Sequence, residues 1–152
     1  MNFIMVENMT LDELQAKWKI DCIIDEDNIG HAAAISPNLH SFYLGELIQW
    51  KLKAVKNVNE IQVLKTLKAR YYRGEMSKEE LDSLNLAQWQ YKTLKADIEN
   101  LVCADEEVQK LGTREVYIKT VIYFLESVLS EIKARSFHCK TCLDWIKYRS
   151  GA

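Results

Sequence analysis

The sequence predicts an all-α protein, and three observations lead there. With Gly 5 and Pro 1 in 152 residues, there is too little turn chemistry to punctuate a sandwich, a barrel or a doubly wound sheet. Two stretches, each about 35 residues long, carry apolar side chains three or four apart, the period of a helix. An apolar share of 48% supports one buried core and argues against disorder. The whole chain, residues 1–152, is read as a single helical domain.

The first element opens at Thr10-Leu11-Asp12-Glu13. This is a capping box, in which hydroxyl and carboxylate satisfy the free amides of a first turn, and a short helix over residues 11–19 follows. Residues 20–29 mix β-branched side chains with Asp21, Asp25, Asp27 and Asn28, which favour turns, so an extended connector is expected. Ser36-Pro37 then starts the first long helix, since Ser accepts from first-turn amides and Pro loses no hydrogen bond there. It is expected over residues 37–73, with Leu39, Tyr43, Leu47, Trp50, Ala54, Val58, Ile61, Leu64, Leu67 and Tyr71 among its apolar positions. At 1.5 Å per residue it would be roughly 54 Å long, against a diameter of roughly 38 Å for a compact globule of this size.

Gly74 ends that helix, and Ser77-Lys78-Glu79-Glu80 offers a second capping box. The polar segment 77–111 is expected to be helical to about residue 100, with a break near Asn85. Leu111-Gly112-Thr113 marks the next boundary, and neither Gly nor Pro occurs from Arg114 to Tyr148, so a second long helix is expected over residues 113–149. Its first half is apolar around most of its circumference. One neighbour cannot cover such a surface, which predicts an elongated bundle that associates with copies of itself.

The net charge of −2 hides a block pattern: −5 over residues 1–45, +5 over 46–73, −5 over 74–111 and +3 over 112–152. Alternating blocks suit separate faces with separate partners, or subunits meeting acid to base. The longest apolar run, residues 116–129, is broken by Lys119 and Glu126, so no membrane span is expected. Glu7, Asp12 and Glu13 fall where a secretion signal needs an unbroken apolar stretch, and a cytoplasmic protein is the expectation. Cys22, Cys103, Cys139 and Cys142 are irregularly spaced. His138-Cys139-x-x-Cys142 lacks the second half of a zinc site and reads as helix packing, so no metal or other cofactor is expected. His31, His40 and His138 sit in no catalytic motif, and no phosphate-cradling Gly-rich loop is present. No enzyme is expected.

The run Lys65-Thr66-Leu67-Lys68-Ala69-Arg70-Tyr71-Tyr72-Arg73-Gly74 concentrates four cations and two tyrosines in the last turns of the first long helix. Cations there suit the helix dipole on a solvated face. They equally suit single-stranded nucleic acid, where Lys and Arg meet phosphates and a base stacks on Tyr. A second basic group contains Lys133, Arg135 and Lys140, interleaved with aromatics such as Phe137. An amphipathic helix with its cations in water explains that group as well.

These residues carry a resemblance. Leu67-Lys68-Ala69-Arg70, followed closely by Tyr71-Tyr72 and Gly74, resembles the Leu-Lys-Ala-Arg-Leu-Asp-Tyr-Tyr-Ser-Gly run of the UvsY family of bacteriophage recombination mediators. Ile132-Lys133-Ala134-Arg135-Ser136-Phe137 is similar to that family's Ile-Lys-Ser-Arg-Gly-Phe. The resemblance implies a helical protein that closes into a ring of about six or seven copies. It further implies sequence-independent binding of single-stranded DNA, and help to a RecA-like recombinase in displacing single-strand-binding protein inside an infected bacterium. DNA binding carries over to Lys68 and Arg70, within a candidate patch of Lys65, Lys68, Arg70, Tyr71, Tyr72 and Arg73. Lys133, Arg135 and Lys140 form a possible second patch. Oligomerisation carries over to the region from Val116, with Val121, Phe124, Leu125, Val128, Leu129 and Ile132 as its candidates. The chain lacks the Leu-Asp of the family run, which turns Tyr71 and Tyr72 by about 200° around the helix relative to the cations. A helical oligomeric adaptor that binds proteins only, its basic stretches pairing with acidic blocks of neighbouring subunits, is the alternative.

Overall fold

A computed structural model describes residues 8–151. Six α-helices and one short 3₁₀ turn make up the fold, with no strand among the described residues. They are α1 (Leu11–Asp21), α2 (Ile29–Ala34), α3 (Ser36–Tyr72), α4 (Lys78–Ser83), α5 (Ile98–Ala104) and α6 (Glu106–Ser150). Both capping boxes form. Thr10 and Ser77 accept from the amides of Glu13 and Glu80, and those glutamates accept in return from the Thr10 and Ser77 amides at 2.7 and 2.9 Å. At the end of α3, Gly74 takes φ +71°, and its amide and that of Glu75 return to the carbonyls of Tyr71 and Arg70. A left-handed glycine with this bond pair satisfies carbonyls that the ended helix leaves open.

Four local expectations are corrected. The connector over residues 20–29 lacks regular structure only at residues 23–25: Asp25 caps a 3₁₀ turn (Glu26–Asn28), and Asn28 caps α2. Asp and Asn side chains there start helical turns instead of preventing them. α3 begins at Ser36 itself, and the buried Ser36 hydroxyl makes no hydrogen bond, because the chain enters from α2 through Ile35 already wound. In the polar segment the break expected near Asn85 is there, Asn85 adopting φ +50°, but the helix does not resume after it: residues 86–97 are irregular, and α5 follows only at Ile98. Finally, α6 runs straight through Gly112 from a start at Asp105, whose carboxylate accepts from the amides of Glu107 and Val108. One interior glycine costs about 1 kcal/mol, which a 45-residue helix absorbs.

The described chain divides into two compact units. One holds the residues up to Leu52 together with those from Lys119 onward; the other is Lys53–Ile118. The first unit buries Leu14, Ala32, Tyr43, Leu47 and Trp50 along with Val121, Leu125, Val128, Leu129, Ile132 and Cys139. Its Tyr43 ring meets Trp18 edge-on, and the Tyr43 hydroxyl donates to Asp21 at 2.9 Å. The second unit centres on Ile98, Val102 and Val108, packed against Leu64, Ala69 and Tyr72. There Asn57, fully buried, donates to the Leu111 carbonyl, and Arg114 meets Glu60 at 3.0 Å.

Inward positions on both long helices follow alternating steps of three and four, the spacing of a helix seam. On α3 the seam runs through Tyr43, Leu47, Trp50, Asn57 and Lys68, all buried, with Ala54, Ile61 and Leu64 half-buried between them. On α6 it runs through Ile118, Val121, Leu125, Val128, Ile132, Arg135 and Cys139, all buried. A cation therefore occupies one seam position on each helix.

Candidate nucleic-acid interface

The basic run at the end of α3 sits in the second unit, and its cations are not equivalent. Lys68 is only 9% exposed, with its ammonium 3.0 Å from Asp105 and 2.8 Å from Glu107. The Tyr72 hydroxyl donates to the same Asp105 oxygen at 3.0 Å. Burial alone would lower the Lys68 pKa, but the hydrogen bonds to Glu107 and Asp105 outweigh it and hold the pKa above the ordinary value. For Asp105 burial pushes upward, yet the bonds from Lys68 and Tyr72 win and hold its carboxyl below the usual range. Tyr72 is raised by burial and by its bond to Asp105.

Two positions on, Arg70 points elsewhere. Its guanidinium donates to both Glu80 oxygens, at 2.9 and 3.2 Å, while remaining partly open to solvent. Glu80 is held below its ordinary pKa by the Ser77 amide and then by Arg70. Arg73 lies 3.9 Å from Glu75. Lys65 is exposed on the same helix.

A groove forms between this end of α3 and α5. Lys65, Arg70 and Arg73 line it from α3, Lys95 from the turn before α5, and Glu99 is its one acidic lining residue. Ala69, Ile98 and Val102 form its apolar floor. Glu80 and Glu75 lie outside the lining but beside Arg70 and Arg73, so Lys65 and Lys95 are the lining cations furthest from compensation, and a concavity lined this way raises the local potential for anions. The sequence reading missed Lys95, because residues 74–111 are acidic on average and the average conceals a cation that folding brings to the basic end of α3.

Tyr71 and Tyr72 face residues 86–97. The Tyr71 hydroxyl donates to the Ala87 carbonyl at 2.9 Å, and both rings meet Trp89, at centroid distances of 5.8 and 4.9 Å. They are packed against protein.

The second basic group lies in the first unit. Arg135, 3% exposed, donates to the carbonyls of Ala32, Asp21, Cys22 and Ile23 at 2.9 to 3.4 Å. Asp21 and Cys22 end α1, so the guanidinium closes a helix terminus whose partial charge favours a cation. Lys133 and Lys140 are exposed. Of the oligomerisation candidates, Val121, Leu125, Val128, Leu129 and Ile132 are buried within the first unit, Phe124 is half-buried, and Val116 is 65% exposed. Cys139 is buried and His138 exposed, and no group of three or more metal-ligating side chains occurs among the described residues. None of the described helices is long and apolar enough to cross a membrane.

Residues 17–152 match the family model for "Recombination, repair and ssDNA binding protein UvsY". The recombination protein uvsY of Enterobacteria phage T4 is 28% identical over 145 residues, which cover 94% of this chain and 99% of that one. A crystal structure of the bacteriophage T4 recombination mediator protein UvsY superposes with a TM-score of 0.78 at 24% identity, covering 94% of this chain and 99% of that one. In a second lattice the same T4 protein gives a TM-score of 0.76, again at 24% identity, covering 90% and 98%. On a family match that spans nearly all of its length, this chain belongs to the UvsY family of bacteriophage recombination and repair proteins.

Proposed function

We propose that this protein is a recombination mediator that binds single-stranded DNA without sequence preference and loads a RecA-like recombinase onto DNA covered by single-strand-binding protein. The observation that carries the DNA half is the groove that Lys65, Arg70, Arg73 and Lys95 line, where Arg70 is engaged by Glu80 and Arg73 lies near Glu75, while Lys65 and Lys95 are exposed. Phosphates lie along Lys65, Arg73 and Lys95, with Arg70 held back by Glu80. Lys68 acts by position: bound to Asp105 and Glu107, it secures the start of α6 beside the end of α3, and so helps hold the groove's walls. Lys133 and Lys140 are exposed cations for a second contact, while Arg135 serves the protein interior.

The working form is a closed homo-oligomeric ring acting in the host cytoplasm. Repeated grooves convert weak single contacts into strong binding through effective concentration. Exposed apolar side chains remain for assembly: Leu44, Ile48, Leu52 and Val55 follow one stripe of α3, and Val116 and Tyr123 are exposed on α6. A strand held extended along the ring competes with single-strand-binding protein and stays accessible to the recombinase.

The test is binding of labelled oligo-dT across a salt series, by wild type and Lys65→Ala/Arg73→Ala, with oligomer mass checked by light scattering. Wild-type affinity should fall steeply with salt, the log–log slope being about −0.7 per phosphate neutralised, and the variant should lose affinity and slope together. Absence of salt-dependent binding by an intact wild-type oligomer would refute the reading and favour an adaptor that binds proteins only.

A further inference from the structure

Residues 86–97 leave the helical framework, yet they are fastened to it. Besides the Tyr71 bond to Ala87, Trp89 meets both α3 tyrosines, and its indole N–H donates to the Thr93 hydroxyl at 2.8 Å. Trp89 is thus the anchor of the loop. The next ring outward is Tyr91, its centroid 5.1 Å from that of Trp89, and Tyr91 is 74% exposed. Exposed Lys92 follows it in the chain, and Lys95 lines the basic groove. Four residues of backbone span at most about 14 Å. A strand whose phosphates meet Lys95 therefore has its bases within reach of the Tyr91 ring.

We infer that Tyr91 is a base-stacking residue and that the loop 86–97 forms, with the groove, one binding site for single-stranded nucleic acid. The inference rests on the single-strand reading above. A positively charged track supplies affinity for the backbone and a fixed aromatic face supplies stacking, which tolerates any base. Fixing the ring in advance matters, because a pre-ordered side chain loses less entropy on binding. Here the edge contact with Trp89 restricts the ring while leaving most of it open, and the two α3 tyrosines support Trp89 in turn.

The test is anisotropy of a short labelled oligo-dT over a salt series with wild type, Tyr91→Ala, Tyr91→Leu, Tyr91→Trp and Lys95→Ala, each verified by circular dichroism and light scattering. Tyr91→Ala and Tyr91→Leu should both bind about tenfold more weakly with an unchanged salt slope, since no phosphate contact is lost. Tyr91→Trp should bind as tightly as wild type or tighter, and Lys95→Ala should flatten the slope. If wild type binds and Tyr91→Ala matches it, the inference is overturned while the single-strand reading stands. Recovery by Tyr91→Leu overturns it too, since bulk rather than a π-face would then suffice. If wild type itself does not bind, both readings fall.

Discussion

Two nearly identical tetrapeptides, Leu67-Lys68-Ala69-Arg70 and Ile132-Lys133-Ala134-Arg135, sit on the two long helices, and each buries a different one of its two cations. In the first the lysine is buried and the arginine partly open; in the second the lysine is exposed and the arginine buried. Helix geometry requires some such division, because residues two apart differ by about 200° around the axis. Which cation turns inward is decided by the seam, and the seam decides what the cation can do. Lys68 meets two carboxylates and makes an ion cluster; Arg135 meets four carbonyls and closes the end of α1. A basic motif on a helix thus contributes one structural and one surface charge, and the same residue types exchange roles when the register shifts by two.

The comparison breaks most visibly at Arg135. Arg135→Ala removes a buried fork from four carbonyls of two helices and a connector, and should destabilise the protein by about 4 kcal/mol. The thermal midpoint should fall by roughly 10 °C for a domain of this size. Arg135→Lys should recover only part of the loss, since an ammonium cannot reproduce the planar spread of donors. Chemical denaturation of the three proteins checks this, and a loss for Arg135→Ala below about 1 kcal/mol would mean that water replaces the guanidinium at no cost.

Lys68→Ala should cost less, about 2 to 3 kcal/mol, because Glu107 is largely exposed and only Asp105 is left buried without its cation. The pH dependence sharpens the assignment. Asp105 is held below its ordinary value of 3.8, so its contribution is present above that pH and is lost as pH falls through the lower folded-state value. Lys68 is held above its ordinary 10.5, so its contribution is complete below that pH and disappears as pH rises through the higher folded-state value. Wild type should therefore show a stability loss at high pH that Lys68→Ala lacks and a larger loss at low pH than Lys68→Ala, in which Tyr72 and the Glu107 amide still hold Asp105, measured as urea midpoints across pH. Equal profiles would remove the ion cluster from the account of the second unit.

How much of this was legible in the sequence depends on whether local signals or partners decide the matter. The capping boxes at Thr10 and Ser77 and the stop at Gly74 were legible, because each depends on side chains within a few residues of the terminus. Gly112 misled for the opposite reason: it is a local signal overruled by the rest of a long helix. The inward cations were also within reach. Continuing the three–four steps from Tyr43 through Leu47, Trp50, Ala54, Asn57, Ile61 and Leu64 lands on Lys68, whereas counting apolar residues alone selects Val58, which is half exposed. What the cations touch was not legible. The pairing of Lys68 with Asp105 spans 37 positions and that of Arg135 with Asp21 spans 114, and no spacing rule reaches so far. The same holds for the groove, since Lys95 joins it only through the irregular path of residues 86–97.

The smallest expected effect concerns the outward arginine of the first tetrapeptide. Glu80 has two roles: it accepts the Ser77 amide in the capping box of α4, and it holds Arg70 through both carboxylate oxygens. Glu80→Gln keeps the first role, since Gln serves at that capping position as well as Glu. It weakens the second by removing the charge. A carboxylate on Arg70 competes with any phosphate for the same donors, and an exposed pair of this kind contributes little to stability. The variant should therefore keep a thermal midpoint close to that of wild type and bind oligo-dT about two- to fivefold more tightly at low salt, with a steeper slope as Arg70 takes up an additional phosphate. Combining Glu80→Gln with Arg70→Ala should abolish the gain. If Glu80→Gln alone weakened binding, Glu80 would be orienting Arg70 toward the strand instead of competing with it, and both cations of the first tetrapeptide would then depend on acidic partners for their position.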